Sequence, residues 1–128
     1  MERGRAKLLP VSRGDADGLR VPAVESIERL GDGVVLHLAG ELDLYNAGDV
    51  AAALDEVAGE GHQRVVVDLA AVEFVDSTAL GALVEARKQI GGETLVLAAP
   101  RPDVSRALEI SGLHKHFAVR DSVADALG

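Results

Sequence analysis

The sequence predicts an α/β domain, a mixed β-sheet of about five strands packed against amphipathic helices in the order β-β-α-β-α-β-α-β-α. Three observations lead there. Val65-Val66-Val67 is an apolar run of the kind that sheets bury on both faces. Val50, Ala53, Leu54, Val57 and Ala58 fall at i, i+3, i+4, i+7 and i+8, one complete stripe of a helix. Gly31-Asp32-Gly33 lies between two short apolar stretches and reads as a hairpin turn.

Each element follows in order. Met1 to Val24 carries Gly4, Pro10, Gly14, Gly18 and Pro22 with mixed charge and no sustained period. Residues 1–24 therefore read as a flexible arm and residues 25–128 as the domain. Ser26–Leu30 and Val34–Ala39 form the predicted hairpin, and Gly40 to Tyr45 reads as a connection. Asn46 suits an N-cap, because its side chain can accept from an orphan N–H of the helix that Gly59 and Gly61 end. After the Val65 strand, Leu69 to Val75 reads as a crossing segment that leads to Asp76-Ser77-Thr78. Ala79, Leu83, Ala86 and Ile90 then take helical spacing as far as Gly91-Gly92. Thr94–Ala99 is another buried strand. Pro102 opens a helix bearing Val104, Ala107, Leu108 and Ser111 on one face. Gly112 with Leu113 has the pattern of a left-handed cap. His116–Val119 is a short strand and Ser122–Leu127 a last helical turn or two.

Composition narrows the function. A chain of 128 residues suffices to bury about two-thirds of its unfolded surface in one core. It has no cysteine, so thiolate and disulfide chemistry are excluded. Two Phe and one Tyr are the only aromatic residues, too few for a base-stacking platform. The net charge of −8 argues against a phosphate-backbone partner. That charge is uneven: residues 1–20 hold five Lys+Arg against three acids, so the rest carries −10. No apolar run approaches the ~18 residues of a membrane span. The expectation is a cytoplasmic protein that binds neither nucleic acid nor membrane.

Candidate chemistry is sparse. No G-x-x-x-x-G-K-S/T or G-x-G-x-x-G phosphate loop occurs. His114 and His116 could begin a zinc site, but no third ligand is near, so neither metal nor cofactor is expected. Ser77 with a histidine and Asp43 or Asp76 could form a hydrolase triad, yet Val75 and Ala79 replace the glycines of a nucleophile elbow. Asp76, Ser77 or Thr78 can each simply cap the helix, worth about 1 kcal/mol. Ser77 can also accept a phosphoryl group, which would lie where helix N–H groups and the macrodipole favour an anion.

Asp76-Ser77-Thr78-Ala79-Leu80-Gly81, with Gly40-Glu41-Leu42-Asp43 and Ser111-Gly112-Leu113 in the same order and spacing, resembles the bacterial anti-sigma factor antagonists of the STAS family. The likeness runs from about Val24 to the C-terminus. It implies a STAS-like fold and a protein that is itself no enzyme. The unmodified form would bind an anti-sigma factor, usually a switch-protein serine kinase, and so free a sigma factor for transcription. The kinase would phosphorylate the serine directly after the motif aspartate, here Ser77, and a PP2C-type phosphatase would restore it. The Glu-Leu-Asp segment of the family contributes to the partner face. By resemblance that face takes in Glu41, Asp43, Tyr45, Asn46, Asp76, Thr78 and Leu80. Two positions depart: Ala79 where many members have Gly, and Asn46 where Thr or Ser is common. Two other readings remain, an unmodified STAS scaffold in a stress-signalling or lipid-transport complex, and a small-molecule or nucleotide-binding sensor.

Overall fold

The structure is a computed structural model and describes residues 22–128. Residues 1–21, most of the arm read from the sequence, lie outside it. Five strands, β1 (Val24–Leu30), β2 (Gly33–Leu42), β3 (Arg64–Val75), β4 (Leu95–Ala98) and β5 (Ala118–Arg120), form one sheet in the spatial order β1-β2-β3-β4-β5. β1 runs antiparallel to β2, and every later pair is parallel. Four helices, α1 (Ala47–Ala58), α2 (Ser77–Ile90), α3 (Pro102–Ile110) and α4 (Val123–Leu127), fill the connections, with a 3-10 turn at Leu113–Lys115. The predicted order of elements is the one found.

The first boundary moves. Ala23, grouped with the arm in the sequence reading, is buried, and its carbonyl accepts the Ala39 N–H at 3.0 Å. Gly31 closes the β1–β2 hairpin at φ 60°, where a left-handed residue lets two strands turn without splaying.

Two segments read as connections are strand. Gly40–Leu42 continues β2, and Leu69–Val75 continues β3 as one twelve-residue strand. Leu69, Val72 and Val75 are spaced by three, which breaks the strand period, yet all three are buried in the same core. The register explains this. His37 faces Asp68 but Ala39 faces Ala71, and Gly40 faces Val72 but Glu41 faces Phe74. β3 thus carries one extra residue at each of two bulges, and each bulge returns the next apolar side chain to the core. Gly40 meets the second bulge at φ 77°, open to glycine without strain.

The core lies mainly on one face of the sheet. Leu36, Val67 and Leu97 of the strands meet Leu54 of α1, Leu83 of α2 and Leu108 of α3, all at most 2% exposed. The opposite face is covered more thinly, where Ala126 of α4 rests on Val35, Val66 and Val96. Arg64 secures α4 by donating to the Ala126 carbonyl at 2.9 Å. On the first face Arg29 of β1 reaches Glu56 and Glu60 at the end of α1. Arg29, with a lesser part from His62, holds the Glu60 carboxyl down at about 2.

His37 binds three strands together on the thinly covered face. Its Nδ1 lies 2.7 Å from Asp68 of β3 and its Nε2 2.9 Å from Glu28 of β1. Both ring nitrogens therefore donate, which requires the imidazolium. Partial burial opposes that charge, but the hydrogen bonds to Glu28 and Asp68 outweigh it and raise the pKa. This contribution is complete below the unfolded value near 6.5 and is lost as pH rises through the raised folded value. The melting temperature should accordingly drop as pH rises above about 6.5, and His37→Gln should flatten that drop. An identical pH profile for the variant would remove His37 from the account.

Candidate functional site

The site forms where β2 and β3 end side by side. The Asp76 N–H donates to the Leu42 carbonyl at 3.0 Å, carrying the pairing one residue past β3. Asp76 then turns the chain into α2 with an extended backbone, φ −101° and ψ 179°. Its Oδ1 accepts the Ala79 N–H at 2.9 Å, so among the three polar residues Asp76 is the cap. Its Oδ2 accepts the Leu44 N–H at 3.0 Å, which ties the β2–α1 turn to the start of α2.

Capping by Asp76 leaves the Ser77 side chain outside the cap. Ser77 is the first residue of α2, it is exposed, and among the described residues its hydroxyl makes no hydrogen bond. Thr78 beside it is also exposed and borders a groove between α1 and α2 with Gly48, Ala51, Gly81 and Ala82.

The Glu41–Asn46 turn stands next to this helix start. Glu41 is exposed at the end of β2. Asp43 Oδ1 accepts the Tyr45 N–H at 3.0 Å and its carbonyl accepts from Ala47 at 2.8 Å, so the turn is fixed from within. Asn46 does not cap α1 as the sequence suggested. Its Oδ1 accepts the Asp43 N–H and its Nδ2 donates to the Glu41 carbonyl, both at 2.8 Å, and it is only 9% exposed. Asn46 thus shapes the turn from beneath. Leu80 is likewise buried, packed into the core as the helical period requires.

Two exposed residues here escaped the sequence reading. Leu44 follows the Glu-Leu-Asp segment, and Phe74 emerges beside Glu41 on the side of β3 opposite the buried Val75. The signal for Phe74 was its position between Val72 and Val75, out of step with both. In sequence, no lysine or arginine stands between Arg29 and Arg64, nor between Arg64 and Arg87.

A Ser–His–Asp triad is not assembled. His37 is held by Glu28 and Asp68, His62 by Glu60, and both Asp76 oxygens are engaged by N–H groups. His114 and His116 flank the end of the 3-10 turn, and no group of three metal-ligating side chains occurs among the described residues. Among those residues, too, no helix is long and apolar enough to cross a membrane.

Comparison with known proteins agrees with the fold. The model of the STAS domain matches residues 22–126. The chain belongs to the STAS domain family. Within it, the chain is 34% identical to the anti-sigma-F factor antagonist RsfB of Mycobacterium tuberculosis, over 73% of this chain and 77% of that protein. It is 33% identical to the anti-sigma F factor antagonist of Paenibacillus polymyxa, over 73% of this chain and 83% of the relative. The crystal structure of an anti-sigma factor antagonist from Mycobacterium paratuberculosis aligns with a TM-score of 0.74 at 30% identity, covering 80% of this chain and 88% of that one. This STAS domain is therefore of the anti-sigma factor antagonist type.

One glycine inside α2 leaves room for a side chain. A Cβ added at Gly81 would meet nothing within 4 Å, although the residue lies inside α2 and borders the groove. Gly81→Ala should stabilise the fold by about 0.5–1 kcal/mol, read by urea unfolding. A loss of stability would mean that the groove is tighter than it looks.

Proposed function

We propose that this chain is a phosphorylation-switched anti-sigma factor antagonist and is itself no enzyme. Unmodified, it binds an anti-sigma factor of the serine-kinase type and so frees a sigma factor. The single observation that carries this reading is Ser77 itself, exposed with an unengaged hydroxyl on the first turn of a helix already capped by Asp76.

The chemistry is a phosphoryl transfer. The Ser77 oxygen attacks the terminal phosphorus of ATP held by the kinase, the bond to the bridging oxygen breaks, ADP leaves, and the hydroxyl proton passes to the kinase. The product adds about −1.5 to −2 charges. The start of α2 tolerates that charge within the folded chain. A partner surface fitted to a neutral hydroxyl does not, because it must desolvate the phosphate without a counter-ion. A PP2C-type phosphatase would reverse the modification.

The reading is tested by incubating the full chain with ATP and each serine-kinase-type anti-sigma factor of the source organism, purified singly. Intact mass should show one added phosphate with the cognate kinase, and Ser77→Ala should show none. Modification of the Ser77→Ala protein to the same extent, or of the native chain by no kinase, would overturn it.

A further inference from the structure

We propose that Leu44, Tyr45 and Phe74 are the anchor side chains of the docking surface around Ser77, received by an apolar pocket with a basic rim on the anti-sigma factor; this rests on the function proposed above. Leu44 is 63% exposed, Tyr45 70% and Phe74 51%. Single exposed apolar residues are ordinary on any surface, but a cluster calls for a partner. The backbone segments that carry these three meet at one end of the two central strands, with Phe74 emerging on the side of β3 away from the Val75 core. The Leu44 N–H is bonded to Asp76, Tyr45 is held by Asp43, and Phe74 lies two residues before Asp76 opposite Glu41.

The aromatic count sharpens the point. Only three aromatic residues occur in the whole chain, and Phe117 is spent on the core. The other two are both exposed, Tyr45 on the turn that Asp76 ties to the start of α2 and Phe74 three residues before Ser77. Aromatic side chains enclosed at the centre of an interface carry a disproportionate share of binding energy, because they bury much area at little entropic cost.

Charge identifies the rest of the partner surface. Glu41 and Glu73 are exposed next to the anchors, no ion pair is formed by either among the described residues, and no lysine or arginine occurs from Leu30 to Gln63 or from Val65 to Ala86. A rim of Arg and Lys on the partner suits them and would speed association at low salt. The same layout explains how phosphate can disrupt a partner that is basic. The rim cations meet Glu41 and Glu73 at the periphery, whereas a phosphoryl group on Ser77 enters the apolar centre, where it has no counter-ion.

The test measures calorimetric affinities of the full-length chain and of Leu44→Ser, Tyr45→Ala, Phe74→Ser and the milder Phe74→Leu for the same purified anti-sigma factors. Phe74→Ser and Tyr45→Ala should each weaken binding at least about 10-fold, and Phe74→Leu less than Phe74→Ser. Melting temperatures should stay near wild type, since all three positions are exposed. Raising salt should slow association of the wild type. Anchor variants that bind within about twofold of a wild type that does bind would overturn the anchor assignment and leave the function standing. Failure of the wild type to bind any of these factors would overturn the function and the anchors together. A wild-type dimer that Phe74→Ser dissolves would assign the patch to self-association instead and overturn the proposal.

Discussion

Asn46→Ala is expected to destabilise the fold by about 2–4 kcal/mol, the largest effect of any single polar substitution at the site. Asn46 is 9% exposed and satisfies the Asp43 N–H and the Glu41 carbonyl at once, both at 2.8 Å. Removing its amide strands a donor and an acceptor where water has little access, so the loss is the desolvation of both groups and not merely two net hydrogen bonds. For a folded region of this size each kcal/mol lowers the melting temperature by about 4–8 °C. The functional loss should exceed the mean destabilisation, because the turn that Asn46 holds also presents Leu44 and Tyr45. Thermal unfolding checks the first effect and affinity below the melting range the second. A variant within about 0.5 kcal/mol of wild type would show that the turn is held by Asp43 alone.

Asp76→Ala is the second large effect, at about 2–3 kcal/mol. One oxygen caps α2 through Ala79 and the other holds Leu44, so alanine frees the helix start and the neighbouring turn together. The cap contributes about 1 kcal/mol and the charge-assisted bond to Leu44 a similar amount or more, moderated by partial solvent access. Asp76→Asn separates the two roles. Its amide keeps one acceptor but turns a donor toward the other N–H, so it should recover less than half of the loss. Full recovery by Asn would show that only the Ala79 cap matters. Chemical denaturation of the three proteins decides between these outcomes.

Much of this architecture is legible in the sequence because it is local. The Val65–Val67 run, the stripe from Val50 to Ala58, the Gly31 turn and Pro102 at the start of α3 all state their roles in a few neighbouring residues. β3 beyond Asp68 does not. Its bulges exist only in register with β2, so Leu69, Val72 and Val75 lose the period of two and look like a crossing segment. Asn46 misleads for a related reason. A helix-start asparagine usually accepts from its own helix, but here the Glu41–Asp43 backbone lies within reach, and buried backbone groups without partners compete for the same side chain. The motif around Ser77 was readable as a helix start; that Asp76 alone caps it, leaving the serine hydroxyl unengaged, required the coordinates. Leu44 and Phe74 were missed because the exposure of Leu44 is set by the turn after β2, and that of Phe74 by which face a bulged strand turns outward.

In the proposed switch, negative charge at Ser77 decides whether the partner can dock. The most direct measurement is the affinity of the cognate anti-sigma factor for two preparations of the full-length chain, one unmodified and one phosphorylated only at Ser77. The phosphate should weaken binding at least about 100-fold, with the melting temperature of the free chain little changed. Equal affinity for the two preparations would contradict the switch.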